Sequence, residues 1–142
     1  MFELPFQVTW ADLDANRHMR NSSYLEYASQ SRFVFLAEHG FTPEAFAKHA
    51  IGPAILKDEI SYRRELLFLE RFTVSLQISG QTEDGSRSQF LNRFVREDGK
   101  VACEIRTLFA WIDLNARKVI APPPELQAAM QALGRTEDWT AL

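Results

Sequence analysis

Five polar side chains, Asp12, Asp14, Asn16, His18 and Asn21, crowd into the positions from 12 to 21, directly ahead of a strongly apolar helical pattern. A helix start presents N–H groups with no intrahelical acceptor and the positive end of the macrodipole. A carbonyl oxygen held there is polarised, and negative charge developing on it is stabilised. A carboxylate just before the helix can attack that carbonyl carbon or take a proton from water beside it. Together these are the minimal parts for acyl transfer. The same residue types also make ordinary turn and capping hydrogen bonds, and residue type alone does not separate the two.

A calcium loop is the rival chemistry, because Asp12-x-Asp14-x-Asn16 copies the first three ligands of an EF-hand. It fails further on. The glycine such a loop needs is Arg17, and the position of the bidentate glutamate is Ser23, so a cation would lack ligands and meet a fixed positive charge. No metal or other cofactor is expected. Cys103 is the single cysteine and lies in an alternating apolar stretch, which points to inert burial rather than nucleophilic chemistry. There is no G-x-S-x-G elbow, H-E-x-x-H pair, C-x-x-C or glycine-rich phosphate loop.

The elements that position these residues follow from periodicity. Phe6, Val8 and Trp10 stand two apart, predicting a first strand over Phe2 to Trp10 with one buried face that ends near Ala11. The polar run to His18 is a loop. Ser23 and Glu26 stand in the S-x-x-E relation of a capping box, predicting a helix from Ser23 to His39 with Gly40 as its stop. On that helix Tyr24, Tyr27, Ala28, Ser31, Val34 and Phe35 share a wide face flanked by Leu25 and Leu36. Glu26, Ser29 and Gln30 leave only a narrow polar sector, interrupted by Phe33, so the helix calls for neighbours on most sides. A short helix over Thr42 to His49 follows, with Thr42 as N-cap and Pro43 at its first position.

Four strands come next: Ile51 to Tyr62, a stretch with Phe72, Val74, Leu76 and Ile78 alternating, Phe90 to Arg96, and Val101 to Ile112. Asp98-Gly99 suits a tight hairpin turn, and Asp84-Gly85 marks the reversal before it. Pro122, Pro123 and Pro124 lead into a terminal helix over Glu125 to Leu133, and the tail after Gly134 is expected to be loose. This order predicts an α+β fold in which a curved antiparallel sheet wraps around one long central helix. The other sheet face is then expected to be covered by a partner subunit.

At 142 residues and 46% hydrophobic content, the chain can bury one core and is read as one domain spanning 1–142. Sixteen Lys and Arg against 19 Asp and Glu leave a net charge of -3, which provides no global field for a nucleic-acid backbone. MFELPFQVTW lacks the basic start and apolar run of a signal peptide, and no stretch is long enough to span a bilayer. A cytoplasmic protein with no nucleic-acid or membrane partner is expected.

The run from Val8 to Tyr27, VTWADLDANRHMRNSSYLEY, resembles the N-terminal motif of the 4-hydroxybenzoyl-CoA thioesterase-like hot-dog family. That motif has an acidic residue two before the catalytic aspartate, a polar turn often carrying His, and then Asn and Tyr opening the central helix. The order of elements matches the fold over nearly the whole chain, although only these twenty or so residues are specific. The resemblance implies hydrolysis of an acyl-CoA thioester to free acid and CoA, with Asp14 as nucleophile or general base. It implies that the backbone N–H near Asn21 polarises the thioester carbonyl, that Tyr24 packs and positions, and that His18 has a supporting polar role.

Many relatives have Gly where this chain has Arg17, so Arg17 either forgoes a positive φ or accepts strain. Its side chain is a candidate to narrow the acyl pocket or reach a substrate carboxylate. For the CoA moiety the candidates are Arg63 and Arg64, with Arg93, Arg96 and Arg87 behind them. Two rivals share the fold. A hydratase or dehydratase would use His18 with Asp14 to move a proton beside the thioester, and a non-catalytic acyl-thioester binding module would keep the pocket alone. The uncovered sheet face and half-open pocket predict a homodimer or a dimer of dimers.

Overall fold

The first strand stops earlier than its alternation predicts, because a side chain intervenes. In the computed structural model, which describes every residue from Met1 to Leu142, β1 covers Phe2–Gln7. The Asp12 carboxylate accepts the Thr9 N–H at 2.9 Å and the Thr9 hydroxyl at 3.0 Å, closing a 3-10 turn over Trp10–Asp12. Val8 is buried, but Trp10 is turned outward and is 76% exposed, its ring against Phe68. The expected burial of Trp10 is therefore corrected.

The long helix α1 (Asn21–Glu38) starts two residues before the expected Ser23. Ser23 is buried with no hydrogen-bond partner for its hydroxyl, so the Ser23–Glu26 capping box does not form. Arg20 stands at the N-cap instead, extended at φ -70° and ψ 154°, with no side-chain cap bond. Core packing of the Ser23 face overrides the local cap. Tyr24, Ala28, Ser31, Phe35 and Leu36 are buried as the periodicity requires, whereas Tyr27 and Val34 are half-buried. Arg32 is buried among them, only 7% exposed.

Helix α2 (Pro43–His49) follows as expected, its N-cap Thr42 hydroxyl accepting the Ala45 N–H at 3.3 Å. The strands β2 (Ile51–Tyr62), β3 (Arg71–Gln81), β4 (Arg87–Arg96) and β5 (Val101–Asp113) also follow the predicted pattern. Gly99 at φ 81° and Gly85 at φ 75° take the left-handed turn positions that their Asp-Gly pairs predict. The sheet order is β1-β3-β4-β5-β2, with each neighbour antiparallel and α1 against its inner face. Thr73, Gln77, Arg93, Glu104 and Arg106 occupy the alternate positions and face outward.

The tail is corrected too. After β6 (Lys118–Val119) and α3 (Pro124–Gln131), residues Arg135–Ala141 form β7, which lies parallel to β3. Trp139 packs against the core, the Arg135 guanidinium sits 4.0 Å from its ring centroid, and Arg106 binds Asp138 at 2.7 Å. These are long-range contacts, absent from the local pattern of a polar tail.

The core has two halves. One joins Phe35, Leu36, Ile78, Phe90, Phe109 and Trp111 with α3 residues Leu126 and Met130. The other joins Val8, Met19, Tyr24, Ala28, Val74, Phe94 and Ile105. Between them lies a buried polar belt of Ser31, Arg32, Asn92 and Thr107.

Candidate active site

The loop between β1 and α1 is tied into one shape by its backbone. Leu13 and Met19 form an isolated antiparallel bridge, the Asp14 N–H donates to the His18 carbonyl at 3.1 Å, and the Arg17 N–H donates to the Asp14 carbonyl at 3.1 Å. Met19, buried, donates its N–H to Leu66 at 2.8 Å and so fastens the loop to the segment after β2. The turn places Arg17 at φ 64°, so the chain accepts the strain that a glycine would avoid. Arg17→Gly is expected to raise stability by up to about 1 kcal/mol, the left-handed cost less the extra freedom of Gly in the unfolded chain. Thermal unfolding at neutral pH checks this, and a lower midpoint would refute the strain.

Asp14 is half-buried. Its Oδ1 accepts the Asn16 N–H at 2.8 Å, and its Oδ2 lies 3.4 Å from His18 Nδ1. That same Nδ1 is 3.1 Å from the Met19 carbonyl oxygen, which can only accept, so the contact calls for a hydrogen on Nδ1. His18 is thus oriented by backbone and carboxylate together. Asp12 differs from Asp14. Burial opposes its ionisation, but hydrogen bonds from the Tyr27 hydroxyl at 2.5 Å and from Thr9 outweigh burial and hold its carboxyl below the ordinary range. With its Oδ2 committed to Thr9 and Tyr27, Asp12 braces the turn, and Tyr27 is driven up by burial and by that carboxylate.

At the helix start the Ser22 N–H is taken by Asn21 Oδ1 at 3.0 Å and the Ser23 N–H by the Arg20 carbonyl at 3.1 Å. The Asn21 N–H, first of the helix, donates to nothing in the chain. It is the kind of donor the helix dipole makes attractive to a polarised oxygen. Because α1 begins at Asn21 and not at Ser23, this amide belongs to the helix itself rather than to the preceding loop.

Asp14, His18, Asn21, Tyr24, Arg63 and Arg64 line one cavity of about 400 Å³, together with Met19, Tyr62 and Glu65. Arg17 is not among its walls. Tyr24 is buried, its ring 5.2 Å from Phe94 and 5.4 Å from Tyr62, and burial pushes its hydroxyl well above the usual tyrosine range. Arg63 is engaged by Glu104, whereas Arg64 makes no ion pair. Tyr62 was not singled out by its sequence; its hydroxyl reaches the Asn21 carbonyl at 3.4 Å, and its place beside Arg63 and Arg64 at the end of a strand is the signal that could have found it. Arg93 and Arg96 are paired elsewhere, with Glu104 and with Glu70 and Asp98. No three His, Cys, Asp or Glu side chains gather where a metal ion could be held. Burial pushes the Cys103 thiol up to about 12, away from the reactive thiolate.

A model of the thioesterase-like superfamily matches residues 8–130, which takes in the loop, α1 and most of the sheet. The chain belongs to that superfamily. Within the thioesterase-like superfamily it is 25% identical over 122 residues to the long-chain acyl-CoA thioesterase FadM of Escherichia coli (strain K12), covering 85% of this chain and 90% of that one. Protein SAV2348 from Staphylococcus aureus, solved in complex with CoA, superposes with a TM-score of 0.87 at 24% identity, over 98% of this chain and 89% of that one. A 1,4-dihydroxy-2-naphthoyl-CoA thioesterase from Synechocystis superposes with a TM-score of 0.82 at 17% identity, over 92% and 95%. The fold of this thioesterase-like chain is the hot-dog fold, a sheet curved about its central helix. No helix in it is long and apolar enough to cross a membrane.

Proposed function

We propose that this protein hydrolyses an acyl-CoA thioester to a free acid and CoA, with Asp14 and the Asn21 amide as the working groups. The observation that carries the proposal is their meeting in one cavity: a half-buried carboxylate and an unpaired first-turn N–H, in a thioesterase-like chain. The thioester oxygen would accept from the Asn21 N–H, which together with the helix dipole stabilises the oxyanion. Asp14 would supply the electron pair, to the carbonyl carbon directly or by deprotonating a water. Collapse of the tetrahedral intermediate breaks the C–S bond, and CoA leaves as a thiolate that takes up a proton; on the direct path a water then hydrolyses the acyl–Asp14 anhydride, releasing the acid and restoring the carboxylate. His18 holds Asp14 in place, Tyr24 forms the wall, and Arg64, free of any carboxylate, is the better placed of the two arginines to meet a CoA phosphate.

The names of FadM and the naphthoyl-CoA enzyme support hydrolysis of an acyl-CoA over a non-catalytic acyl-thioester binding role. The direct test is release of free thiol from a panel of acyl-CoAs of different chain length. Absence of turnover with every member would end the proposal.

The same reading places one such domain in each chain and the protein in the cytoplasm as a homodimer or dimer of dimers. Support for assembly lies at β2, which pairs only with β5 and leaves its other edge open over Ile51–Tyr62. Ile55, Leu56 and Tyr62 are exposed along it, and a long edge with apolar side chains is a template for another chain. Light scattering at micromolar concentration is expected to give at least twice the 16.3 kDa chain mass. A 16.3 kDa particle would count against the assembly.

A further inference from the structure

The helix that carries the Asn21 amide also carries a cation that hydrolysis does not use. Arg32 is buried, yet no carboxylate lies within ion-pair distance of it. Its Nε donates to Asn92 Oδ1 at 3.0 Å and its Nη2 to Thr107 Oγ1 at 2.7 Å. Asn92 donates onward to Ser31 and to the Ser75 carbonyl, and Thr107 donates to the Asp58 carboxylate on β2. The third nitrogen, Nη1, has no acceptor in the chain. Nor is it sealed off, because Arg32 forms part of the wall of a second cavity of about 240 Å³.

That cavity is otherwise mostly apolar, walled by Leu36, Ile55, Phe90, Phe109 and Trp111. Like the first cavity, it is bordered by α1 and by β2. Arg32 is eleven residues beyond Asn21, which at 3.6 residues per turn and 1.5 Å per residue puts it about 20° from the same helix azimuth and about 16 Å further along. Strand β2 runs beside α1 over the same span: its Tyr62 end touches Asn21 and lines the first cavity, and its Ile55 lines the second. Burial lowers the Arg32 pKa to about 10, with Asp58 acting in the opposite sense, so the guanidinium stays charged at neutral pH. A charged donor without a protein acceptor in the wall of a mostly apolar pocket is a ready partner for a ligand oxygen.

We infer that this second cavity receives the far end of the acyl group and that Arg32 selects chains carrying a neutral oxygen there, an ω-hydroxyl or ω-oxo group. The inference deepens the acyl-CoA thioesterase reading and rests on it. A neutral oxygen is favoured over a carboxylate because Asp58, joined through Thr107, already places one negative charge beside the guanidinium, and a second would face it.

The test compares kcat/KM for dodecanoyl-CoA, ω-hydroxydodecanoyl-CoA and dodecanedioyl-CoA in wild type, Arg32→Met and Arg32→Lys. Wild type is expected to prefer the ω-hydroxy chain over the plain one by roughly tenfold or more, the worth of one charge-assisted hydrogen bond. Arg32→Met should lose that preference and Arg32→Lys should weaken it. The wild-type comparison stands even where a variant fails to fold. Equal rates for dodecanoyl and ω-hydroxydodecanoyl substrates, a preference for the dicarboxylic chain, or a preference that survives in folded Arg32→Met would each overturn the inference while leaving hydrolysis intact. Turnover of none of the three would overturn the inference, and the acyl-CoA panel of different chain lengths then decides separately whether the thioesterase reading stands.

Discussion

Asp14→Asn is expected to lower kcat for acyl-CoA hydrolysis by roughly 10²–10⁴-fold, the range a positioned base contributes, with the fold unchanged. Asn keeps an oxygen to accept the Asn16 N–H, so the turn that Asp14 closes survives the change. It cannot attack a carbonyl carbon as a carboxylate does, nor take a proton from water. Neither does it offer His18 a negative partner. Free-thiol release reads the rate, and circular dichroism with a thermal melt reads the fold. Wild-type turnover in a folded Asp14→Asn protein would transfer the chemistry elsewhere. Enoyl-CoA hydration that survives in this variant but disappears in His18→Ala would favour the hydratase.

The second large effect is expected from a substitution that removes one hydrogen. Asn21→Pro deletes the N–H proposed to bind the oxyanion, and kcat is expected to fall by about 10²–10³-fold, as when one oxyanion donor is lost elsewhere. Proline is normally a poor choice inside a helix, but Asn21 is the first helical residue, whose N–H has no intrahelical acceptor to lose. Its predecessor must avoid helical backbone angles, and Arg20, at φ -70° and ψ 154°, already does. Asn21 is also exposed, so the ring meets no packed neighbour. Asn21→Ala is the companion: it loses the bond from Ser22 but keeps the amide, and most of the activity should remain. Equal activity in the two variants would show that this amide does not bind the oxyanion.

How much of this was legible depends on how local each cause is. Helix α2 was readable from Thr42 and Pro43, and β2 from its own pattern, because each is fixed by residues within its span. Asp14, His18, Asn21 and Tyr24 fall within eleven positions, so their meeting in one cavity needed only a turn and a helix start. The failures have distant causes, except at Trp10, where the contact that turns the chain spans three residues. Ser23 reads as a cap until the core claims its face, and Trp10 reads as buried until Asp12 folds the chain back on Thr9. The polar tail gives no strand signal until Trp139 finds the core and β7 finds β3. Arginines were visible as a set, but only the partners Glu104, Glu70 and Asp98 separate Arg64 from Arg63, Arg93 and Arg96. Arg32 escaped altogether, because a charge beside an apolar face ordinarily lies in water, and its acceptors are supplied by strands sixty or more residues away.

The polar belt between the two halves of the core also bears on how the strands find their places. Sliding β4 by two residues along β3 and β5 would keep every side chain on its own face and would put Phe90 or Phe94 in the place of Asn92. It would also move Asn92 and either Ser88 or Arg96 into the places that the two rings fill. The slipped alignment takes the Asn92 acceptor away from the Arg32 guanidinium and carries the Asn92 amide away from Ser31. Each charge-assisted bond lost there costs about 1.5–3 kcal/mol, a sizeable share of a domain's net stability. Arg32, Asn92 and Thr107 thus act as an alignment key that works alongside the two rings.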